Sequence, residues 1–419
     1  MVLTRKKQMK FDRKNYIHSN KIWITWSEIN LIQKNKDIIF FGRGEWLTKS
    51  LPYLVKKAAF IVDNNPYEQG QIEENLKIFS PEKIKEYDLN NIFILITTTS
   101  FPDVDLQLRE YGLQGGENFA VSPSLKNFEV TSRINSYDQR LLFTCSDQPK
   151  QGGGLYSYDL KKREKNHIIE GMCHGLARDG KTVALVDDLV GIRIMDKNLE
   201  TRKIYKMPPK SRPHGIAISE SLNLLTVNFS GFDEIGIFDL SNGKNIGSIK
   251  ISEKFEKTGV AQHHINDCAI YEDYLYVSMF SASGNWKIGA YDGAILQYDL
   301  KTKKLIGKVV EDLWLPHTPT FINGQLHYCD SMRGTISNTT WKKLGEFSGF
   351  VRGLTYDGTF YFVAQSAHRY IDRASGMNKS ISLDTGIFLL DSVNNITKFF
   401  SIPDLTDINS ILYLKNERV

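Results

Sequence analysis

Cysteine is scarce in this chain of 419 residues, which contains only four, and no two of them form a CxxC pair. This scarcity excludes a scaffold held together by disulfides and a zinc ribbon. Each cysteine lies in or beside an apolar run, so we expect Cys145, Cys173, Cys268 and Cys329 to be buried free thiols. No apolar run approaches the roughly 18 residues that a membrane-spanning helix needs. The N-terminus also lacks the apolar core of a signal peptide, so we expect a cytoplasmic protein without a transmembrane segment.

Familiar catalytic signatures are missing as well, since the chain contains no GxSxG, HExxH or P-loop motif. A net charge of +5 is small for this length, and basic residues concentrate near the start, in "RKKQMKFDRKNYIHSNK". A basic stretch of this kind is most often a solvated terminus. We therefore interpret residues 1–36 as an N-terminal arm and expect no nucleic-acid partner. The length predicts more than one domain.

Residues 37–125 alternate between strand-like and helical stretches. The strand runs are "DIIFF" (37–41), "AAFIVDNN" (58–65), "NIFILITTTS" (91–100) and "NFAVSP" (118–123). Helical stretches follow the first run, to about residue 57, and the third, over 103–112. This alternation predicts a small Rossmann-like parallel sheet.

Two glycines and an aspartate mark a candidate nucleotide site in this domain. Gly42 and Gly44 follow the first strand and let the backbone approach a ligand at the start of a helix. Asp63 ends the second strand, where a nucleotide ribose would be held. Leu47 stands where a full dinucleotide fingerprint has its third glycine, so we expect weak binding of a nucleotide or nucleotide-sugar. The alternative is a docking module that has lost its ligand.

The same stretch resembles a small Rossmann-like module of bacterial polysaccharide-biosynthesis proteins, with the pattern FGxG…FVDNNPxxxG…sPE. The matching residues are Phe41, Gly42, Gly44, Asp63, Asn64, Asn65, Pro66, Gly70, Ser80, Pro81 and Glu82. The resemblance implies a role in polysaccharide biosynthesis without specifying a ligand.

Residues 126–419 have a different character, with short strands separated by turn residues. One alternating strand that ends in aspartate recurs: "GLYSYDL" (154–160), "GIRIMD" (191–196), "IGIFDL" (235–240), "GAILQYDL" (293–300) and "GIFLLD" (386–391). Repeats of about 40 to 60 residues with several strands each are typical of a β-propeller. We predict six blades, with "DINSILYL" (407–414) pairing with "RLLFTCS" (140–146) to close the ring. The fold class is thus multidomain, α/β followed by all-β.

Polar residues recur at the start of the first strand of each predicted blade. Inner strands of a propeller run in one direction along its channel, so their starts converge on one mouth. At these starts stand His174, His214, Asn266, His317, Arg352 and Asn409. The ends of the antiparallel second strands return to the same face with Asp187, Asn228, Asp330 and Gln365. We predict a polar binding site there. The alternative is that these groups satisfy one another and ordered water.

Three stretches resemble an uncharacterised bacterial propeller family: "HHINDCAIYEDYLYVS", "LPHTPTFINGQLHYCDSMRG" and "GFVRGLTYDGTFYFVAQSAHR". The family patterns are HxND.A, PHSPR…G.L…dSg.G and GF.RGLa…VG.S..R, and the first of them adds Asp267 to the candidate site. Thr320 and Gln365 depart from the family pattern at the predicted mouth. Both domains resemble proteins of capsule or exopolysaccharide gene neighbourhoods, which implies a role in surface-glycan biosynthesis.

Three functions are compatible with these patterns. The first is binding of a nucleotide-activated sugar or glycan intermediate at the propeller mouth. The second is a sugar-modifying enzyme of lactonase, lyase or epimerase type, with His174, His214, His317 and Arg352 as candidate catalytic residues. Those histidines either hold a divalent metal such as Zn²⁺ or act as general bases. The third is a scaffold that docks other glycan-biosynthesis proteins.

Overall fold

The computed structural model describes residues 22–340, 342–374, 377 and 379–414. The chain forms two compact units, Met1–Ser136 and Tyr137–Val419. The basic stretch that we interpret as a solvated arm lies within residues 1–21, outside the described residues. In the described part of the chain, no helix combines the length and apolar character needed to cross a bilayer.

The N-terminal unit is built on a largely parallel sheet of six strands. The strands are β1 (Asp37–Phe41), β2 (Phe60–Val62), β3 (Ile72–Glu73), β4 (Leu76–Phe79), β5 (Ile92–Ile96) and β6 (Phe119–Val121). The helices are α1 (Trp26–Ile32), α2 (Glu45–Ser50), α3 (Phe101–Glu110) and α4 (Pro123–Asn135). The sheet order is β3-β4-β2-β1-β5-β6, and every pair except β3–β4 is parallel. The predicted parallel sheet is confirmed. β1 and β5 are apolar along their length because both faces of the sheet are covered.

Four features of this unit differ from the sequence prediction. Residues 22–36, predicted to belong to an N-terminal arm, instead include α1, and Ile22 and Ile29 are buried in the core of this unit. The helix expected to reach residue 57 ends at Ser50 and continues only as a 3₁₀ turn, Leu51–Tyr53, because Pro52 has no N–H to extend the α-helix. The short β3–β4 hairpin was not predicted. The domain boundary expected at 125/126 falls inside α4, which belongs to the first unit.

The second unit is a propeller of six four-stranded blades, as predicted. Blade one holds β30 (Ile411–Leu414), β7 (Arg140–Cys145), β8 (Gly154–Asp159) and β9 (Glu164–Glu170); blade two holds β10 (Cys173–Asp179), β11 (Thr182–Asp187), β12 (Gly191–Met195) and β13 (Thr201–Tyr205). Blade three holds β14 (Pro213–Ser219), β15 (Leu224–Phe229), β16 (Glu234–Asp239) and β17 (Asn245–Lys250); blade four holds β18 (Ile265–Tyr271), β19 (Tyr274–Met279), β20 (Gly293–Asp299) and β21 (Leu305–Leu313), with α5 (Lys254–Thr258) before it. Blade five holds β22 (Pro316–Ile322), β23 (Gln325–Asp330), β24 (Thr335–Asn338) and β25 (Lys343–Glu346); blade six holds β26 (Phe350–Tyr356), β27 (Tyr361–Ser366), β28 (Gly386–Asp391) and β29 (Ile396–Ser401).

Closure of the ring follows the prediction. β30 pairs antiparallel with β7, with Ile411 opposite Phe143, so the last described strand becomes the inner strand of blade one. Successive inner strands pack side by side around the channel. This arrangement gives the starts of the six inner strands equivalent positions around one axis.

The recurring aspartates have the turn role that the sequence suggests. Asp159 accepts a hydrogen bond from the Lys162 amide at 2.9 Å, and Asp239 accepts one from the Ser241 amide at 2.9 Å. Such side-chain bonds fix the turn to the outer strand of each blade. All four cysteines are free and buried, as expected.

Candidate functional site

Each inner strand is led by a short segment with the same layout, here called the ring tetrapeptide. The six ring tetrapeptides are 172–175, 212–215, 264–267, 315–318, 350–353 and 407–410, and they read MCHG, RPHG, HIND, LPHT, FVRG and DINS. The residues predicted to surround the mouth occupy the third position. Because side chains alternate along extended backbone, the first and third positions share one face.

The strand pairing slips at this segment in five of the blades. Register shifts occur between residues 173 and 176, 213 and 216, 265 and 268, 317 and 320, and 351 and 353. A β-bulge bends its strand locally and turns a side chain away from the regular pleat. In four of these blades the shift includes the third residue of the tetrapeptide, and in blade five it follows that residue.

The fourth position brings neighbouring inner strands together. A Cβ added to Gly175 would lie 2.5 Å from the His214 carbonyl oxygen and 2.8 Å from the Ile216 nitrogen. A side chain at Gly215 would likewise strike the backbone of Asp267. Asp267 itself accepts a hydrogen bond from the Thr318 amide at 2.8 Å, which ties β18 to β22. The channel is therefore narrow just below the third-position residues.

Above this narrowing lies a cavity of about 460 Å³, here called the axis cavity. Five of the predicted ring residues line it: His174, His214, Asn266, His317 and Arg352. The ring centroids of His174 and His214 are 4.9 Å apart, and those of His214 and His264 are 5.4 Å apart. The series continues through Phe280, which lies 4.3 Å from His264 and 5.4 Å from His317. The structure thus brings the imidazoles together along one wall.

These imidazoles are neutral at physiological pH. Burial, reinforced by the charge of Arg352, lowers the pKa of His174 to about 4 and that of His264 to about 3. Burial also holds the pKa values of His214 and His317 well below the ordinary value. His317 Nδ1 lies 3.0 Å from the Leu315 carbonyl oxygen and 2.7 Å from Ser331 Oγ, so the hydrogen-bond partners of this ring are on Nδ1.

The arginine of the ring is paired with a carboxylate that sequence reasoning did not identify. Arg352 Nη1 donates to Asp407 Oδ1 at 2.6 Å, and Arg369 Nη2 lies 2.6 Å from Asp407 Oδ2. Burial alone raises the pKa of Asp407, but the guanidinium groups of Arg352 and then Arg369 outweigh it and hold this pKa well below its usual range. Asp187 and Asp330, the acidic residues predicted at the ends of the second strands, pair with Arg193 and Arg333 instead. Two guanidinium groups share one carboxylate, so this cluster of three side chains carries a net positive charge, while Arg212, Asp147 and Asp188 also line the cavity.

Several polar atoms at the cavity have no hydrogen-bond partner among the described residues. They are His174 Nδ1, Arg352 Nε and both polar side-chain atoms of Asn266. Buried polar groups are nearly always hydrogen-bonded in folded proteins, so these atoms call for a partner, which is either water or a bound molecule. The orphaned set contains donors and acceptors within one cavity.

The other predicted site residues are held by neighbours instead of facing the axis cavity. Asp187 pairs with Arg193 at 3.0 Å, and Gln365 donates to the Asp384 carbonyl at 2.8 Å. Asp330 accepts from the Trp314 amide and from Arg333, each at 2.9 Å.

The predicted amides play a supporting role. Asn228 donates to the Asn266 carbonyl at 2.9 Å and holds that ring residue in place. Asn409 donates to Asp407 at 3.1 Å. Asp267 lies at the narrowing and borders a separate cavity below it. These residues position the ring, and their direct contact with a ligand stays a prediction.

Sequence reasoning also missed Arg212, His264 and Asp407, which hold the first position of their ring tetrapeptides. Aligning all four positions, instead of the third alone, would have found them. Phe280, Arg369 and Tyr370 line the cavity from long loops after β19 and β27, and only loop length signalled them.

A metal held by His174, His214 and His317 finds no support in the geometry. Across the described residues, no group of three or more His, Cys, Asp or Glu side chains is placed to hold a metal ion.

The glycine turn of the N-terminal unit has two of its backbone amides already occupied. Gly42 and Gly44 have φ of +98° and +96°, which only glycine adopts without strain. The Arg43 amide donates to Asp63 at 3.2 Å, and the Gly44 amide donates to Glu73 at 3.0 Å. A phosphate would have to displace these carboxylates. Nucleotide binding at this turn stays a prediction.

Comparison with known proteins finds solved structures of low sequence identity and partial structural similarity. No protein-family model and no curated protein matches the sequence, so the two family resemblances stay predictions. A nidogen/laminin complex structure matches with a TM-score of 0.48 and 15% identity, covering 67% of this chain and 99% of that chain. A protein of unknown function from Bacteroides caccae matches with a TM-score of 0.47 and 12% identity, over 66% and 99%. A luciferin-regenerating enzyme matches with a TM-score of 0.41 and 15% identity, over 57% and 78%.

Proposed function

We propose that the propeller binds an acidic sugar or a related small polar anion in the axis cavity. The observation that carries this proposal is the buried Arg352, whose Nε has no partner although its Nη1 is paired with Asp407. Arg369 adds a second guanidinium to the same carboxylate. An anionic ligand group would pair with the second guanidinium of this cluster and accept a hydrogen bond from Arg352 Nε.

The rest of the cavity suits a sugar ring. Neutral imidazoles and the Asn266 amide offer hydrogen-bond donors and acceptors to hydroxyl groups. The rings of Phe280 and His264 are stacked with centroids 4.3 Å apart and give one wall an apolar face. The volume of about 460 Å³ falls within the range typical of small-molecule sites. The sequence resemblances favour one form of this proposal, in which the protein takes part in surface-glycan biosynthesis. Its ligand would then be a nucleotide-activated sugar or a glycan intermediate.

Binding is favoured over acid–base catalysis at this site. A general base works best with a pKa near the working pH. The pKa of His174 is about 4 and that of His264 is about 3, so both imidazoles are weak bases suited to hydrogen bonding. The scaffold hypothesis does not account for the orphaned polar atoms, since docking of a protein partner does not need them.

Calorimetry with glucuronate, galacturonate and the neutral sugars glucose and galactose tests the proposal. We expect the wild-type protein to bind at least one uronate and to bind the matching neutral sugar at least about tenfold more weakly, since one charge-assisted contact contributes on this scale. Arg369→Gln should remove most of this preference. Its side chain is 48% exposed, so the variant should keep the fold.

Arg202→Gln is the matched control, because Arg202 is an exposed arginine of blade two that pairs with Asp196. It should bind like the wild type. Equal binding of uronate and neutral sugar, or an unchanged preference in Arg369→Gln, would contradict the proposal.

A further inference from the structure

A second cavity of about 360 Å³ adjoins the axis cavity and is lined by residues of blades three and four. Arg212 and His264 line both cavities, so they form the border between them. We call this second cavity the annex. A ligand that fills the axis cavity and extends across this border reaches the annex directly.

The annex is one-sided in charge. Lys210, Arg212 and Lys287 line it, and none of the described lining residues carries a carboxylate. Within the described part of the chain, none of these three cations makes an ion-pair contact. Three unpaired cations around one cavity attract an anion.

We propose that the annex holds a phosphate group of the same ligand, so that the propeller recognises a phosphorylated acidic sugar. This inference rests on the proposed function of the axis cavity. Arg352 and Arg369 take the carboxylate of the ligand, and Lys210, Arg212 and Lys287 take its phosphate. Three cations arranged separately match the three terminal oxygens of a phosphate monoester better than the two oxygens of a second carboxylate.

The residues at the border between the two cavities are held in place and allow a polar ligand to extend across it. Asp233 accepts hydrogen bonds from the amides of His263, at 2.9 Å, and His264, at 3.1 Å, and so fixes the backbone that carries the His264 ring. That ring packs against Phe280 and Trp286, at centroid distances of 4.3 and 4.7 Å, and these two rings also contact each other at 5.6 Å. A fixed, neutral imidazole at this place can donate one hydrogen bond to the ligand or accept one from it. Because it is neutral, it does not oppose the charge of the ligand.

The experiment compares glucuronate, glucuronic acid 1-phosphate and glucose 1-phosphate by calorimetry, with galacturonate and its 1-phosphate in parallel. We expect the uronic acid 1-phosphate to bind at least about tenfold tighter than the uronate, in line with one or two charge-assisted contacts. The double variant Lys210→Gln/Lys287→Gln should lose that gain and keep the affinity for the uronate. The control is Lys244→Gln/Lys301→Gln, which removes two exposed lysines of the same two blades and should behave like the wild type.

The outcomes separate this inference from the proposed function. Uronate binding that the phosphate does not improve, or a gain that survives in Lys210→Gln/Lys287→Gln, overturns the annex as a phosphate site and leaves the axis cavity intact. No uronate binding, together with glucose 1-phosphate binding that the double variant loses, overturns the proposed function and supports the phosphate site. Absence of binding by all the probes overturns both.

Discussion

The glycine turn of the N-terminal sheet and the axis cavity of the propeller both collect polar groups at the ends of strands. In the turn, the amides of Arg43 and Gly44 already donate to Asp63 and Glu73. In the cavity, His174 Nδ1 and Arg352 Nε have no partner among the described residues. The difference shows that the number of polar residues is a poor indicator of a ligand site. The polar groups that the fold leaves unsatisfied are the informative ones.

Removing a carboxylate from each region should give the largest contrast. We expect Asp407→Ala to lower the free energy of unfolding by about 3–5 kcal/mol, because it leaves Arg352 buried without its counter-charge. Asp63→Ala should cost about 1 kcal/mol, since it removes hydrogen bonds at a partly exposed turn. Urea denaturation monitored by circular dichroism measures both.

Asp404→Ala provides the control for this pair, because Asp404 is an exposed carboxylate three residues before Asp407 that pairs with Lys165. It should cost no more than about 1 kcal/mol.

The stabilising effect of Asp407 should also depend on pH, because the pKa of its carboxyl is lowered in the folded state. Its contribution to the free energy of unfolding is complete above the ordinary carboxylate pKa. That contribution is lost as the pH falls through the lower pKa of the folded protein. The gap between wild type and Asp407→Ala should therefore shrink below about pH 4. Equal losses in Asp407→Ala and Asp404→Ala would contradict the ion-pair assignment.

Alanine substitutions of glycines compare the two regions by the cost of adding a Cβ atom to the backbone. Gly175→Ala should cost about 2–3 kcal/mol, because its Cβ would meet the backbone of the next inner strand at 2.5 Å. Gly44→Ala meets no atom within 4 Å and should cost about 1 kcal/mol from its positive φ alone. Gly307→Ala, which also meets no atom within 4 Å, is the control and should be nearly neutral. The order is checked by thermal and urea unfolding, and a harmless Gly175→Ala would refute the close approach at the narrowing.

The buried imidazoles should give the smallest effect, a shift in pH dependence. His174 has a folded pKa of about 4 against an ordinary value of 6.5. Between these values the unfolded chain binds a proton that the folded protein does not, so stability falls as the pH drops from about 6.5 towards 4. His174→Gln should lose less stability between pH 7 and pH 5 than the wild type. His167→Gln, at an exposed position on β9, should lose as much as the wild type. A His174→Gln protein with the wild-type pH dependence would show that this imidazole is not buried.

The propeller was predictable because its information is repeated. Aspartate turns, equivalent strands and a terminal strand that complements β7 each recur or pair, so one misread element does not change the overall pattern. The N-terminal sheet was predictable in its longest apolar strands and less so in its short elements. The β3–β4 hairpin has few residues, and the end of α2 depends on a single proline.

The residues of the site were predictable only where they belong to the sequence pattern that is repeated from blade to blade. The third-position residues of the ring tetrapeptides stand at equal offsets before equivalent strands, and the structure gathers five of them around one cavity. Arg369 and Phe280 lie on loops that occur once, so no periodic signal marks them. Asp407 was in register but stands two residues before the ring position, and its role depends on the direction in which Arg352 points, which a sequence does not encode locally.

The position of Asp407 just before β30 would couple binding of the proposed ligand to the integrity of the whole ring. Asp407 lies just before β30, so the cluster of Arg352, Arg369 and Asp407 forms only when that strand is docked against β7. A ligand that binds this cluster binds the closed ring and not the open one. At a concentration of about a hundred times its Kd, it would add about 2.7 kcal/mol to the stability of the closed state. The resistance of the propeller to unfolding or proteolysis would then increase with the concentration of its ligand.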